Sequence, residues 1–152
     1  MGMFDAINAA GSALTAERLR MDVTAENLAN AQTTRGADGQ PYRRKEVVLQ
    51  EKSGGQSFGS MLNASMNRGT PRGAGTGGGV EVGAIVEDQS DFRMQYDPGH
   101  PDADERGYVR MPNVNPVTEM VDLISASRGY EANVTAMNTA KQMFTKSLEI
   151  LR

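Results

Sequence analysis

The stretch from Asn115 to Arg152 repeats large apolar side chains every seven residues, and this repeat restricts the possible folds more than any other feature. Heptad repeats are typical of a helix that lies along another helix. Asn115 suits the N-cap position and Pro116 the first helical residue. We therefore predict a C-terminal axial helix in the segment 113–152, and its stretch from Asn115 to Arg152 would be about 55 Å long at 1.5 Å per residue. Its two rows are Leu123, Tyr130, Met137, Phe144 and Leu151, and Met120, Ser127, Val134, Lys141 and Leu148.

The start of the chain carries a second heptad pattern. Ile7, Leu14, Met21 and Leu28 are spaced by seven, and a companion row begins at Phe4. Gly11, Arg18 and Ala25 complete that companion row, so this seam is imperfect. We predict an N-terminal helix in residues 1–34 that pairs with the C-terminal helix.

Both helices also carry stripes of small side chains, and these stripes permit two interpretations. One is a simple two-helix hairpin in which alanine serves helix propensity. The other is that each helix contacts more than one partner. A single seam contributes at most ~2 kcal/mol per buried large side chain, whereas ordering each residue costs about 1–2 kcal/mol. This comparison favours burial against neighbouring copies. The small residues are Ala9, Ala13 and Ala16 in the first helix, and Ala126, Ala132, Ala136, Thr139 and Ala140 in the second.

The middle of the chain, residues 35–112, has the pattern of a small β-rich insert. Apolar runs predict strands over Tyr42–Glu51, Val80–Asp88, Phe92–Tyr96 and Tyr108–Met111, with the second and third forming a pair. Residues 52–79 are rich in Gly, Ser and Asn, so we expect a loop that is flexible or is ordered by a partner. The predicted fold class is mainly α with a small β-rich insert between paired, coiled-coil-like terminal helices.

Composition excludes several classes of function. The net charge of −3 is too small to indicate a nucleic-acid partner. The chain has no cysteine and therefore no disulfide scaffold. No apolar run approaches the ~20 residues of a membrane helix. The N-terminus lacks the basic and apolar regions of a cleavable signal. The chain is expected to be soluble, or to be exported without a cleaved signal.

Three short segments resemble ligand sites, but each has a more ordinary explanation. Residues 73–78 match the G-x-G-x-x-G string without the strand and helix that a phosphate site needs, which indicates a linker. The basic run at Arg43, Arg44 and Lys45 indicates a solvated strand face or an inter-subunit salt bridge.

The third segment, Asp97–Glu105, gathers four carboxylates around His100, the only histidine. It lacks the glycine and glutamate positions of a calcium loop, so we expect a stiff contact loop instead. A metal-dependent enzyme centred on His100 and Asp102 is the weakest alternative. We assign no catalytic, cofactor-binding or metal-binding residue, no cofactor and no small-molecule substrate.

Three blocks of sequence resemble the bacterial flagellar axial proteins, the family that forms rod and hook. The first block is residues 25–34, the second residues 96–109, which is distinctive of a proximal-rod branch, and the third residues 113–133. The turn after the first helix lacks the Gly-Tyr often seen in that family. The residues that match family motifs are Asn27, Asn30, Asp97, Pro98, His100, Asp102, Asn115, Pro116, Glu119, Met120, Tyr130 and Asn133.

The resemblance implies a structural subunit of the proximal rod. Such a subunit polymerises with copies of itself and with other rod proteins into an axial tube that transmits motor torque and encloses the export channel. It supports motility, is exported by the flagellar type III apparatus without signal cleavage, and lies in the basal body where the rod crosses the periplasm. Further partners are the adjoining membrane-ring components and the export apparatus.

Combining the heptad seam with this resemblance gives the expected helix and subunit interface. It consists of Phe4, Ile7, Leu14, Met21, Leu28, Met120, Leu123, Tyr130, Val134, Met137, Phe144, Leu148 and Leu151. Asn27 and Asn30 are expected to cap or bridge backbone groups at the end of the first helix. We further expect the terminal helices to fold only on assembly. The alternative is a secreted coiled-coil binding or adaptor module that is stable by itself.

Overall fold

A computed structural model of the chain describes residues 3–36, 38–52 and 79–150. The described elements, in chain order, are α1 (Met3–Ala29), β1 (Lys45–Glu51), β2 (Val80–Glu87), β3 (Arg93–Tyr96), β4 (Tyr108–Met111) and α2 (Pro116–Ile150). The chain is therefore mainly helical, with a small β insert between an N-terminal and a C-terminal helix. Most of the predicted loop, residues 53–78, lies outside the described residues, as does Leu151.

The ends of both helices have local causes. The Asn115 side chain accepts a hydrogen bond from the Val117 amide at 3.0 Å, and the Asn115 carbonyl accepts one from the Glu119 amide at 3.0 Å. These two bonds confirm the predicted N-cap of α2. At the end of α1 the Asn30 amide still donates to the Glu26 carbonyl, and Thr33 then closes a turn onto the Asn30 carbonyl.

The four strands form two separate two-stranded sheets, β1–β2 and β3–β4. β3 pairs antiparallel with β4, with Tyr96 opposite Tyr108 and Arg93 opposite Met111. The predicted pairing of the second strand with the third is therefore wrong. Two carbonyl groups of the segment between these strands, those of Asp88 and Ser90, instead accept hydrogen bonds from the Arg43 side chain.

The chain divides into two compact units, which are described separately. The first, here called the junction unit, comprises residues 17–48 and 83–129. Its buried residues include Val23, Ala126, Val109 and Val114. Within this unit α1 and α2 run antiparallel. Glu17 of α1 lies beside Gly129 of α2. Ten residues further along α1, Asn27 bonds Glu119, which lies ten residues back along α2. A Cβ atom on Gly129 would lie 3.3 Å from Glu17 Cδ, so glycine permits this close approach.

The second, here called the helix-end unit, comprises the described residues of 1–16, 49–82 and 130–152. Among these residues only Ala16 is fully buried. A Cβ atom on Gly11 would lie 3.8 Å from Met137 Cε, so the helices are in contact there. The Ser12 hydroxyl accepts a hydrogen bond from the Val80 amide at 3.0 Å. All nine residues from Lys141 to Glu149 are exposed.

Candidate functional site

The most highly connected buried side chain of the junction unit is Asn27, near the end of α1. Its Nδ2 donates to the Lys45 carbonyl at 2.8 Å and to Glu119 Oε2 at 3.0 Å. Its Oδ1 accepts from the Lys45 amide and from the Tyr42 hydroxyl, each at 2.9 Å. A carboxamide has two donor hydrogens and two acceptor lone pairs, so all its bonding positions are used. Asn27 thus pairs with both backbone groups of Lys45, as a peptide of a neighbouring strand would.

Glu119, in the first turn of α2, is the buried charge at this site. Only 1% of its surface is exposed. Its Oε1 accepts from Arg44 Nε at 2.6 Å, while its Oε2 accepts from Asn27. Arg44 also lies 3.5 Å from Asp122 and 3.8 Å from Glu46. The buried carboxylate is therefore paired with one guanidinium and hydrogen-bonded at both oxygens, as burial of a charge requires.

Asn113, in the loop between β4 and α2, connects this site to the turn after β2. Its Oδ1 accepts from the Arg44 amide at 2.8 Å. Its Nδ2 donates to the Asp88 carbonyl at 3.1 Å and to the Ser90 hydroxyl at 2.9 Å. Arg43 stacks on Phe92, with its guanidinium carbon 4.4 Å from the ring centroid. Asn27, Tyr42, Arg44, Asn113 and Glu119 are called the polar junction below.

The electrostatics of the polar junction follow from burial and from this pairing. Burial, reinforced by the charges of Glu26, Glu119 and Glu87, raises the pKa of Tyr42 to about 12. The hydrogen bond to Glu119 raises the pKa of Arg44 above its ordinary value. At the turn after β2, the Ser90 amide bonds the Asp88 carboxylate and lowers its pKa. The Tyr42 hydroxyl therefore stays protonated, and Arg44 stays positively charged, at physiological pH.

The acidic loop at 97–105 contacts the segment that follows α1. Asp102 accepts a hydrogen bond from the Thr34 hydroxyl at 2.9 Å, and Arg35 lies 3.7 Å from the same carboxylate. His100 Nδ1 accepts from the Asp102 amide at 3.1 Å, which shapes the loop. Asp97 Oδ1 accepts from the Gly99 amide at 3.2 Å. In the described part of the chain, no group of three or more His, Asp or Glu side chains is placed to hold a metal ion.

None of the predicted seam residues with a described side chain is fully buried. Half-buried positions are Ile7, Leu14, Met21, Leu28, Leu123, Tyr130, Val134 and Met137, whereas Met120, Phe144 and Leu148 are exposed. The central row of α2 in the junction unit is instead Glu119 and Ala126. Small and polar residues occupy the centre because the helices approach closely there. Phe4 and Leu151 have no described side chain.

Of the residues that match family motifs, the structure brings Asn27 and Glu119 into direct contact. Asn30, the residue after α1, donates from its side chain to the Glu26 carbonyl in the last turn of that helix, and the Thr33 hydroxyl donates to its Oδ1. Pro98 lies beside Gly107, whose φ of 77° favours glycine. Pro116 opens α2, and the side chains of Tyr130 and Asn133 are half-buried on it.

Sequence reasoning missed the roles of Tyr42, Arg44 and Asn113. Arg44 was expected on a solvated face or in an inter-subunit bridge, and the structure pairs it with Glu119 of its own chain. A usable signal was the strict heptad row Glu119, Ala126, Asn133 and Ala140, which a search for large apolar residues passes over. A carboxylate on such a row requires a cation nearby.

None of the helices in the described ranges is both long enough and apolar enough to cross a membrane. A family model described as flagella basal body rod protein matches residues 7–37. A second, described as flagellar basal body rod FlgEFG protein C-terminal, matches residues 105–150.

Full-length relatives give the same result as the family models. The chain is 54% identical to a protein of Bacillus subtilis over 99% of both chains. It is 45% identical to one of Borreliella burgdorferi, over 100% of this chain and 99% of the relative. It is 43% identical to one of Salmonella typhimurium, over 99% and 98% respectively. All three relatives are named flagellar basal-body rod protein FlgC.

Proposed function

Because the chain belongs to the FlgC family of flagellar basal-body rod proteins, and is therefore a structural component of the bacterial flagellar rod, we propose that its helix-end unit completes its fold against neighbouring rod subunits. In this proposal the junction unit is the preformed part of the subunit. The parts of α1 and α2 that belong to the helix-end unit then become part of an axial tube, which transmits motor torque and encloses the export channel.

The observation that carries this proposal is the exposed end of α2. Residues 141–149 are all exposed, and they include Met143 and Leu148. The contact of Gly11 with Met137 gives the register of the two antiparallel helices at this end. By this register Met3, where α1 begins, is level with residue 145 of α2, so Leu148 lies beyond the start of α1. A helix end whose large apolar side chains are left exposed by the described part of the chain gains burial when a neighbour packs on it.

The relatives support the proposed setting. Rod proteins by name imply assembly with other rod and basal-body components, and we propose that the partners include membrane-ring components and the export apparatus. We also propose that the chain is exported without a cleaved signal and lies where the rod crosses the periplasm. The alternative of a secreted coiled-coil adaptor has no support among relatives that match the whole chain. The family role is structural, and we propose that the chain performs no catalysis.

Complementation of a flagellated bacterium that lacks its own FlgC tests the proposal. Leu148→Glu should abolish swarming and remove the protein from purified basal bodies, because a charge cannot be buried at a subunit contact. Lys146→Glu, at an exposed position two residues away, should leave both intact. Neither variant should alter the urea midpoint of the purified chain. Normal rods with Leu148→Glu would contradict the proposed role of this helix end.

A further inference from the structure

The sheet formed by β3 and β4 has one edge that its own chain covers. The Asp97 amide donates to the Gly107 carbonyl at 2.9 Å. These two residues continue the register that sets Tyr96 opposite Tyr108. Hydrogen-bonded and non-hydrogen-bonded pairs alternate along an antiparallel sheet, so the amide and carbonyl of Tyr108 point away from β3. Asp104 bonds both groups, because its Oδ1 accepts from the Tyr108 amide and its own amide donates to the Tyr108 carbonyl, each at 2.9 Å.

The outer edge of β3, by contrast, is open. By the same alternation, the amides and carbonyls of Met94 and Tyr96 point away from β4. Within the described ranges of the chain, no other group bonds these backbone atoms. All four residues of β3 are exposed. An exposed edge of this kind offers a row of donors and acceptors to a further strand.

The side chains along this edge indicate which strand would fit. Met94 and Tyr96 share one face of the sheet and are 55% and 64% exposed. Arg93 lies on the other face and forms no ion pair among the described residues. Cross-strand pairs stabilise a sheet when apolar residues meet or when a cation meets a carboxylate. The edge therefore suits a strand with apolar residues across from Met94 and Tyr96, and with Asp or Glu across from Arg93.

We propose that an extended segment of another basal-body protein adds to the outer edge of β3 as a third, antiparallel strand. This inference rests on the proposed function and names the chemistry of one partner. Antiparallel pairing continues the arrangement of β3 and β4, and it gives the segment the order apolar, any residue, apolar, acidic. Every described strand of this chain is already paired in its own sheet, so we assign the segment to a different protein. A two-stranded sheet is only marginally stable, and a third strand would stabilise it.

Met94→Pro tests the backbone contact, because proline removes the outward N–H and places its ring there. Met94→Val is the matched control, since it keeps both the N–H and an apolar side chain. The N–H lies outside the β3–β4 ladder, so the urea midpoints of the two purified variants should agree. In a bacterium that lacks its own FlgC, recovery in purified basal bodies should fall about tenfold with Met94→Pro and stay near normal with Met94→Val. Equal recovery of the two variants overturns the proposal.

Photo-crosslinking in assembled basal bodies identifies the occupant without relying on stability. p-Benzoylphenylalanine in place of Met94, and in a second variant in place of Tyr96, should attach to one partner protein at residues two apart in its sequence. The attached segment should carry Asp or Glu across from Arg93. Attachment to another copy of this chain, a segment without that carboxylate, the three- or four-residue spacing of a helix, or no attachment at all overturns the proposal. Failure of the proposed function would look different, because the unaltered chain would then be missing from purified basal bodies.

Discussion

Replacing Glu119 with Gln is the sharpest test of the polar junction. The carboxylate faces two donors, Asn27 Nδ2 and Arg44 Nε. A glutamine amide has one oxygen and one NH2 group, so it can accept from only one of these donors and places its own donor against the other. Asn27 cannot relieve the conflict by flipping, because both Lys45 backbone groups and Tyr42 fix its orientation.

The expected size of the effect follows from exposure. Removing one partner of a buried ion pair costs about 3–5 kcal/mol, and a hydrogen bond to a charged group contributes about 1.5–3 kcal/mol. The Arg44 side chain is 22% exposed and can turn toward water, so we expect a loss of about 2–3 kcal/mol for Glu119→Gln. In urea this lowers the unfolding midpoint by about 1 M or more, with little change in the m-value.

Glu46→Gln is the matched control for the same arginine. Its carboxylate lies 3.8 Å from Arg44 and its side chain is 63% exposed. Such a surface pair contributes about 0–1 kcal/mol. Urea unfolding of both variants, followed by circular dichroism, makes the comparison. Equal midpoints for Glu119→Gln and Glu46→Gln would refute the claim that the buried carboxylate holds the junction together.

Three further outcomes are expected. Because the folded pKa of Tyr42 is raised above 10 to about 12, its contribution to stability is complete below pH 10 and is lost as the pH rises toward 12; urea midpoints should fall over this window, and less steeply in Tyr42→Phe. A left-handed backbone conformation costs a non-glycine residue ~1–2 kcal/mol of stability. Gly107→Ala should destabilise the protein by more than this amount, because the new Cβ atom would lie 3.0 Å from the Tyr96 ring. Gly39→Ala, where φ is 73° and nothing lies within 4 Å of the new Cβ atom, should lose only that amount. Ala126→Leu should lower the free energy of unfolding by ~1–3 kcal/mol through overpacking, measured by urea unfolding. Ala136→Leu, at an exposed position, should leave urea unfolding unchanged and block assembly, so normal swarming of this variant would argue against a packed small face.

Local chemistry explains which parts of the fold could be predicted from sequence. The start of α2 was predictable because Asn115 and Pro116 act within one turn. The strands were located to within a few residues, because apolar alternation is also local. Their pairing was not predictable, since the partner of β2 depends on how Arg43 and Asn113 hold the turn after it.

The polar junction was less predictable because its contacts are distant in sequence. Asn27 and Glu119 are 92 residues apart, and Arg44 and Glu119 are 75 apart. A heptad search weighted toward large residues favours the flanks of a closely packed pair, where Leu123 and Tyr130 lie. The centre, where Ala126 and Glu119 lie, is defined by what fits between two backbones. The family motifs did include Asn27 and Glu119, but resemblance alone did not supply their common role.

The bonds between Asn27 and Lys45 have a mechanical consequence. Successive residues of a strand present their amide and carbonyl groups to alternate edges. A slip of β1 by one residue would therefore offer the Asn27 carboxamide a side with neither group, and it would also turn every strand side chain to the other face. The Asn27 side chain thus fixes the register of β1 relative to α1. A force applied to this strand is therefore transmitted directly to α1, with no change of register between them.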